Sequence, residues 1–194
     1  MGCGEMAIKI SAGILAGGKS LRMGRDKARL PYHAQTFLTH LAGELRGFDE
    51  LLVSVENAGA FPELSCRIVE DERKGFGPVE GIYQMLRAAR NPYLLVVATD
   101  MQQLTTKFLQ DFTAQLCPGD QCMVVRIGDL LEPLCAVYHK DALPALERLR
   151  CAGIHRPRAI FKDLRTRYVD LEALGYQPEL MANVNTPEEY QKLL

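Results

Sequence analysis

The stretch GILAGGKS, residues 13–20, fits the phosphate-binding pattern G-x-x-x-x-G-K-[ST] at every specified position. In a P-loop this pattern forms a glycine turn between a strand and a helix, and the backbone N–H groups of the turn bind phosphate. Here residues 14–16 are apolar and extend the preceding strand, so the turn begins too late. Gly24 and Pro31 also follow too soon for a long helix. The context therefore argues against a P-loop.

A basic, glycine-containing loop follows this stretch. Five basic residues and one acid stand between positions 19 and 29: Lys19, Arg22, Arg25, Lys27, Arg29 and Asp26. A solvated loop is one interpretation, but this loop leaves the C-terminal end of the first predicted strand, where open α/β sheets bind ligands. Gly17 and Gly18 let the backbone approach a base or phosphates closely. Arg22 and Lys27 can neutralise a triphosphate, so the combination favours nucleotide binding.

Two aspartates follow apolar runs, Asp100 in YLLVVATD and Asp71 in CRIVED. Because such runs predict strands, the Asp100 carboxylate is expected at the carboxyl edge of a sheet, facing the glycine loop. Mg²⁺ prefers one or two carboxylates together with phosphate oxygens and water, so a magnesium site is expected there. The alternative is that Asp100 caps the helix that starts near Thr105. Asp71 is expected to accept hydrogen bonds from a base or ribose, with Glu70 as the competing candidate.

Two further segments combine turn residues with polar side chains. GFGPVEG fits either a flexible lid over the nucleotide or an ordinary turn from a strand into a helix. NVNTPEEY predicts a helix start with Thr186 as N-cap, Pro187 in the first turn and Glu189 completing a capping box. The cap does not account for Asn183 and Asn185, whose amides suit a polar ligand.

The elements that must position these residues alternate between strand and helix. Strands are predicted at IKISAGILA, ELLVSV, CRIVED, YLLVVATD and CMVVRI, with helical spacing around residues 37–45, 79–89 and 108–116. Strands that are apolar on both faces, such as YLLVVA, imply a mainly parallel sheet covered by helices on both sides. Beyond residue 130 the strands LCAVYHK and RYVDLE and two helices are predicted as an appendage. The predicted fold class is α/β with three layers.

Composition narrows the functional classes. The 194 residues show no repeat or linker, so a single domain is expected, and the net charge of −1 predicts no general attraction to nucleic acid or an acidic membrane surface. No apolar run approaches the ~18 residues of a membrane span, and a cytoplasmic location is expected. The six cysteines lack a C-x-x-C pattern and are expected as free thiols. A zinc site of Cys117 and Cys122 with His139 or His155 is the alternative.

The segment LAGGKSLRMGRDK resembles the signature of molybdenum cofactor guanylyltransferases, L-A-G-G-x-S-x-R-M-G-x-D-K, at every specified position. VEDERKGFGPVEGI, VVATDM and NVNTPEE resemble further segments of that family, so the resemblance covers nearly the whole chain. It implies one Rossmann-like nucleotidyltransferase domain over residues 1–194, with Mg²⁺ as cofactor. The implied reaction transfers GMP from GTP to the molybdopterin cofactor and releases pyrophosphate. Transient contact with apo-molybdoenzymes or other cofactor-biosynthesis proteins is also expected.

The resemblance and the residue types together define a candidate site. The nucleotide is expected at Leu15, Ala16, Gly17, Gly18, Lys27, Asp71 and Asp100. Catalytic roles are expected for Arg22, Lys27 and Asp100, and Asp100 is also the expected metal ligand. Asn183 and Asn185 are expected near the acceptor, because the corresponding family segment lies near the active cleft. Two residues depart from the family pattern: Ser54 stands where Asn is common, and Gln102 stands where Pro is common.

Two alternative functions remain open. A cytidylyltransferase or sugar-phosphate nucleotidyltransferase would keep the fold and change the substrate. Related cytidylyl enzymes typically read L-A-A-G where this chain reads L-A-G-G, so the resemblance favours guanine. A nucleotide-binding partner without turnover is the other alternative, and the unusual Gln102 motivates it.

Overall fold

The predicted apolar runs form the strands of the molecule. The structure, a computed structural model, describes residues 8–17, 26–57, 59, 61 and 64–194. The strands are β1 (Ile10–Leu15), β2 (Pro31–Tyr32), β3 (Gln35–Thr36), β4 (Leu51–Val55), β5 (Arg67–Glu70), β6 (Tyr93–Ala98), β7 (Cys122–Ile127), β8 (Leu130–His139) and β9 (Thr166–Asp170). The residues Gly18 and Arg22, expected at the site, lie outside the described part of the chain.

Seven of the described strands form one sheet in the order β5-β4-β1-β6-β8-β7-β9, and β2 pairs with β3 separately. β5, β4, β1 and β6 are parallel neighbours, and β9 is parallel to β7. β8 is antiparallel to both β6 and β7, because a short turn through Gly128 reverses the chain between β7 and β8. The prediction of a mainly parallel sheet is confirmed. The appendage prediction is wrong for β8, which lies inside the sheet.

Helices cover both faces of the sheet. They are α1 (Phe37–Glu44), α2 (Pro78–Ala88), α3 (Thr106–Thr113), α4 (Leu143–Cys151) and α5 (Pro187–Leu193), and the second predicted late helix is a 3-10 segment, Pro157–Asp163. Apolar residues of α1 and α3 pack into one core, and those of α2 and α4 pack into another core on the opposite face. The three-layer prediction is confirmed. No described helix has the length and apolar character needed to cross a bilayer.

The first glycine of the P-loop-like pattern has a packing role. Gly13 lies within β1, and a Cβ built there would stand 2.8 Å from the Met85 sulfur of α2. Its neighbours Ala12 and Ile14 point to the opposite core. Gly13 therefore permits close contact between strand and helix, and the rejection of a P-loop is consistent with Ile14 and Leu15 being strand residues.

Candidate active site

A cleft of about 390 Å³ opens at the carboxyl ends of the central parallel strands. Open α/β sheets bind ligands at this edge, where the strand order reverses. Its lining includes Leu15, Ala16, Gly17, Lys27, Ser54, Asp71, Gly77, Gly81, Asp100, Leu134 and Asn185. The structure thus brings together most of the residues expected at the site from four distant parts of the chain.

One wall of the cleft carries a three-residue polar cluster. The Lys27 ammonium donates to Asp100 Oδ2 at 2.8 Å and to the Asn185 amide oxygen at 2.7 Å. The Lys27 and Asp100 side chains are only 17% and 20% exposed, so the interpretation of this loop as merely solvated is wrong for Lys27. Lys27 begins a 3-10 turn that Asp26 caps by accepting a hydrogen bond from Ala28 N. This turn fixes the lysine against the cleft.

Asp100 belongs to the cleft and does not cap a helix. The α3 N-cap is Thr105, whose hydroxyl accepts a hydrogen bond from Phe108 N. Asp100 instead lies two residues beyond the end of β6, and its backbone carbonyl accepts a hydrogen bond from Val184 N at 3.0 Å. That bond brings the segment before α5 next to the end of β6, which places Asn185 beside Lys27.

The two asparagines of the C-terminal segment differ in position. The capping box predicted at Thr186 and Glu189 is present, and it holds the chain immediately before α5. Asn185 lines the cleft, whereas Asn183 does not. The cluster with Lys27 therefore involves Asn185 and not Asn183.

A second carboxylate stands on the opposite side of the cleft. Asp71 follows β5, is 7% exposed, and accepts a hydrogen bond from the Ser54 hydroxyl at 2.8 Å. Burial raises the pKa of Asp71 to about 6, against the effect of the hydrogen bond from Ser54. The negative charges of Glu80 and Glu56 add to the increase in this pKa. The competing candidate Glu70 pairs with Lys74 and does not line the cleft.

Glycines shape the floor of the cleft. A Cβ built on Gly81 would stand 2.5 Å from both the Ser54 hydroxyl and the Leu15 side chain, so α2 packs directly on the ends of β1 and β4. A Cβ built on Gly17 would stand 3.4 Å from Asp71 Oδ2 and 3.6 Å from Glu56. Gly17 therefore keeps open the space beside the buried carboxylate.

The segment after Asp71 is held by a buried ion pair. Glu80 Oε1 accepts hydrogen bonds from the backbone N–H groups of Glu72 and Arg73, at 3.1 and 3.2 Å. Arg150 Nε donates to Glu80 Oε2 at 2.6 Å, and both side chains are buried. These contacts favour the interpretation of GFGPVEG as a fixed turn into α2 over that of a flexible lid. Sequence reasoning missed Glu80, because only the fold brings Arg150 to it.

Sequence reasoning also missed Leu134, which lines the cleft from β8. Its apolar type gives no functional signal, and its position depends on the insertion of β8 beside β6. In the described residues, His, Cys, Asp and Glu side chains form no group of three that could hold a metal ion, so the alternative zinc site finds no support. His139 instead caps a 3-10 turn at Lys140–Ala142, and the His155 ring packs on Phe76.

Comparisons with known proteins give matches over most of the chain. The family model for the MobA-like NTP transferase domain matches residues 12–169. A molybdenum cofactor guanylyltransferase of Syntrophotalea carbinolica is 34% identical over 188 residues, covering 94% of this chain and 89% of that protein.

Solved structures share the fold. The molybdopterin-guanine dinucleotide biosynthesis protein A of Archaeoglobus fulgidus matches with a TM-score of 0.82 and 22% identity, over 94% of this chain and 96% of that one. A Mycobacterium tuberculosis protein in complex with manganese matches with a TM-score of 0.68 and 19% identity, over 96% of this chain and 98% of that one.

Proposed function

The chain belongs to the family of MobA-like NTP transferase domains, and from this we propose that it transfers GMP from GTP to the molybdopterin cofactor. In this reaction an oxygen of the terminal phosphate of the acceptor attacks the α-phosphorus of GTP. The bond from that phosphorus to the bridging oxygen breaks, and pyrophosphate leaves while the guanine dinucleotide forms. The observation that supports this assignment is the cluster of Lys27, Asp100 and Asn185 in a cleft that opens beside Gly17.

In this proposal the protein positions the two substrates and supplies positive charge near the phosphates of GTP. No covalent enzyme intermediate is required, because the acceptor phosphate is itself the nucleophile. We assign Lys27 to the phosphates of GTP, where a fixed ammonium offsets the charge that develops in the transition state. Asn185 is assigned to the acceptor side, where its amide hydrogens can donate to a phosphate or pterin oxygen.

Asp100, two residues beyond the end of β6, offers a carboxylate suited to a divalent cation. Asp100 Oδ2 pairs with Lys27, while Oδ1 has no hydrogen-bond partner among the residues that the structure describes. Mg²⁺ held by Asp100 and by phosphate oxygens would neutralise negative charge on the nucleotide. Magnesium as the particular metal, transient protein partners, a single domain over residues 1–194 and a cytoplasmic location stay predictions.

The direct test of the function is incubation with each NTP, Mg²⁺ and molybdopterin cofactor, followed by identification of the product. Formation of the guanine dinucleotide with release of pyrophosphate supports the proposal. Transfer from CTP alone, or to a sugar phosphate alone, would assign another substrate to the same fold. Nucleotide binding without release of pyrophosphate would identify a binding partner.

We expect the wild type to use GTP at least ~10-fold better than CTP, which is about 1.4 kcal/mol, and Gly17→Ala to narrow that difference. The added methyl group would stand 3.4 Å from Asp71 Oδ2, an ordinary contact that the fold tolerates but that reduces the room for a purine. Parallel measurements of kcat/KM with both nucleotides test this. Gly43→Ala is the matched control, because a Cβ there meets nothing within 4 Å. A wild type that prefers CTP would contradict the guanine assignment.

We expect GTP affinity to fall by up to tenfold per pH unit below about pH 6, because protonation removes the Asp71 carboxylate as an acceptor for base or ribose donors. Calorimetry between pH 5 and 7.5 measures the effect, with Asp71→Asn as the reference. The phosphates of GTP titrate equally in both proteins, so the ratio of the two affinities isolates Asp71. A ratio independent of pH would remove Asp71 from the nucleotide site.

The raised pKa of Asp71 also affects the stability of the nucleotide-free protein, but in the opposite direction: GTP affinity should rise with pH, whereas stability should fall. Between pH 3.8, the ordinary pKa, and about 6, the folded state retains a proton that the unfolded state has lost. The contribution of Asp71 to the free energy of unfolding therefore falls as pH rises through this interval.

A further inference from the structure

Gln102 is a buried amide directly beneath the turn that carries Asp100. Its side chain is 1% exposed, and Nε2 donates to the Thr99 carbonyl at 2.6 Å and to the Phe37 carbonyl at 3.2 Å. The Thr99 carbonyl belongs to the peptide group that leads into Asp100. Gln102 therefore restrains the backbone on one side of Asp100, and Val184 N restrains the carbonyl on the other side.

The orientation of this amide follows from its partners. Both neighbouring groups are carbonyl oxygens, which only accept hydrogen bonds, so the NH₂ group must face them. The Oε1 atom of Gln102 is buried and has no hydrogen-bond partner among the described residues. A buried polar atom without a partner costs free energy. The favourable contribution of Gln102 to the structure therefore comes from the two hydrogen bonds that Nε2 donates.

Gln102 also connects the Asp100 turn to the segment of Lys27. Phe37 is the first residue of α1, and its N–H donates to the Leu30 carbonyl at 2.9 Å. Leu30 N in turn donates to the Lys27 carbonyl at 3.1 Å. A continuous path of hydrogen bonds and backbone therefore joins the turn of Asp100 to the turn of Lys27.

We propose that Gln102 is a positioning residue, which holds the Asp100 carboxylate and the Lys27 ammonium at the separation needed for metal-assisted binding of the triphosphate. The inference rests on the proposed function. In the guanylyltransferase family that the chain resembles, a proline is common at the position of Gln102, and a proline ring restrains a turn by fixing φ. This chain restrains the same turn with a bridging amide, so the departure from the family pattern is compatible with turnover.

Gln102→Met tests the proposal, because methionine keeps the length of the side chain and removes both donors. We expect kcat to fall roughly 10- to 100-fold, the scale for a misplaced reacting group. The Mg²⁺ concentration for half-maximal activity should rise, and calorimetry should show weaker GTP binding with Mg²⁺ but unchanged binding in EDTA. A purely structural glutamine would lower Tm without altering metal dependence.

Gln84→Met is the matched control, because Gln84 is another buried amide, which donates a hydrogen bond to Glu80 at 2.8 Å and is not part of the cleft lining. We expect it to lower Tm with little change in metal dependence. Unchanged kcat and unchanged metal dependence in Gln102→Met would overturn the proposal, even with a lower Tm.

A second variant keeps the test decisive if the methionine protein does not fold. Gln102→Asn keeps the amide but shortens the side chain by one methylene group, so that one NH₂ group can no longer reach both the Thr99 and the Phe37 carbonyl. We expect the same changes in kcat and in Mg²⁺ dependence, but smaller ones. Wild-type kcat and wild-type Mg²⁺ dependence in a folded Gln102→Asn protein would count against positioning. If the wild type releases no pyrophosphate, the proposed function fails, while the calorimetric comparison still reports on Gln102.

Discussion

Replacing Lys27 with alanine is expected to lower kcat/KM for GTP by roughly 30- to 1000-fold, or about 2 to 4 kcal/mol, the scale for one fixed electrostatic contact in a transition state. The ammonium lies 2.8 Å from Asp100 and 2.7 Å from Asn185, in a largely buried position that solvent screens weakly. Steady-state kinetics with GTP and molybdopterin cofactor measure the loss.

The same variant should remain folded, because the Lys27 ammonium bonds to the side chains of Asp100 and Asn185 and the residue belongs to none of the hydrophobic clusters. Thermal unfolding checks this point. Lys74→Ala is the matched control, since Lys74 is 57% exposed and pairs with Glu70 at the surface. Near-normal turnover in Lys27→Ala would show that this ammonium does not act on the phosphates of GTP.

The change Asp100→Asn is expected to abolish the Mg²⁺ dependence of GTP binding. An amide keeps the shape of the carboxylate but lacks the charge that hard cations require. Because Asp100 lies in the turn after β6 and does not cap α3, the fold should be retained. Titration calorimetry of GTP with Mg²⁺ and with EDTA measures the effect.

Asp170→Asn supplies the control for this change. Asp170 pairs with Arg126 at 2.6 Å and is 45% exposed, so the control removes the same charge from a surface ion pair. It should leave the Mg²⁺ dependence intact. If Asp100→Asn bound GTP with the same response to Mg²⁺ as the wild type, the metal site would have to be sought elsewhere in the cleft.

The sequence predicted the layers of this fold because each apolar run was short and clearly bounded. It did not predict that β8 lies between β6 and β7, since the pairing partners of a strand depend on the turn at Gly128 and on packing with distant strands. Leu134 reaches the cleft only through that insertion. The residue types alone therefore do not predict the pairing partners of β8 or the position of Leu134.

The site residues, too, were predictable only where neighbouring residues in the sequence indicated their role. Asp71, Asp100 and Lys27 were predictable because they follow strands or belong to a specific signature. The choice of Asn185 over Asn183 was not, because it depends on the bond from Val184 to the Asp100 carbonyl. The role of Ser54 likewise required the structure, which shows its hydroxyl on Asp71.

The polar cluster of the cleft also has a consequence for the order of events during folding. Lys27 lies 73 positions before Asp100 and 158 positions before Asn185 along the chain. Contacts between residues so distant in sequence form late in folding, whereas helices and turns, whose contacts are local, form early. Refolding should therefore restore the helices before the cluster, and the capacity to bind nucleotide should return later than the helical signal.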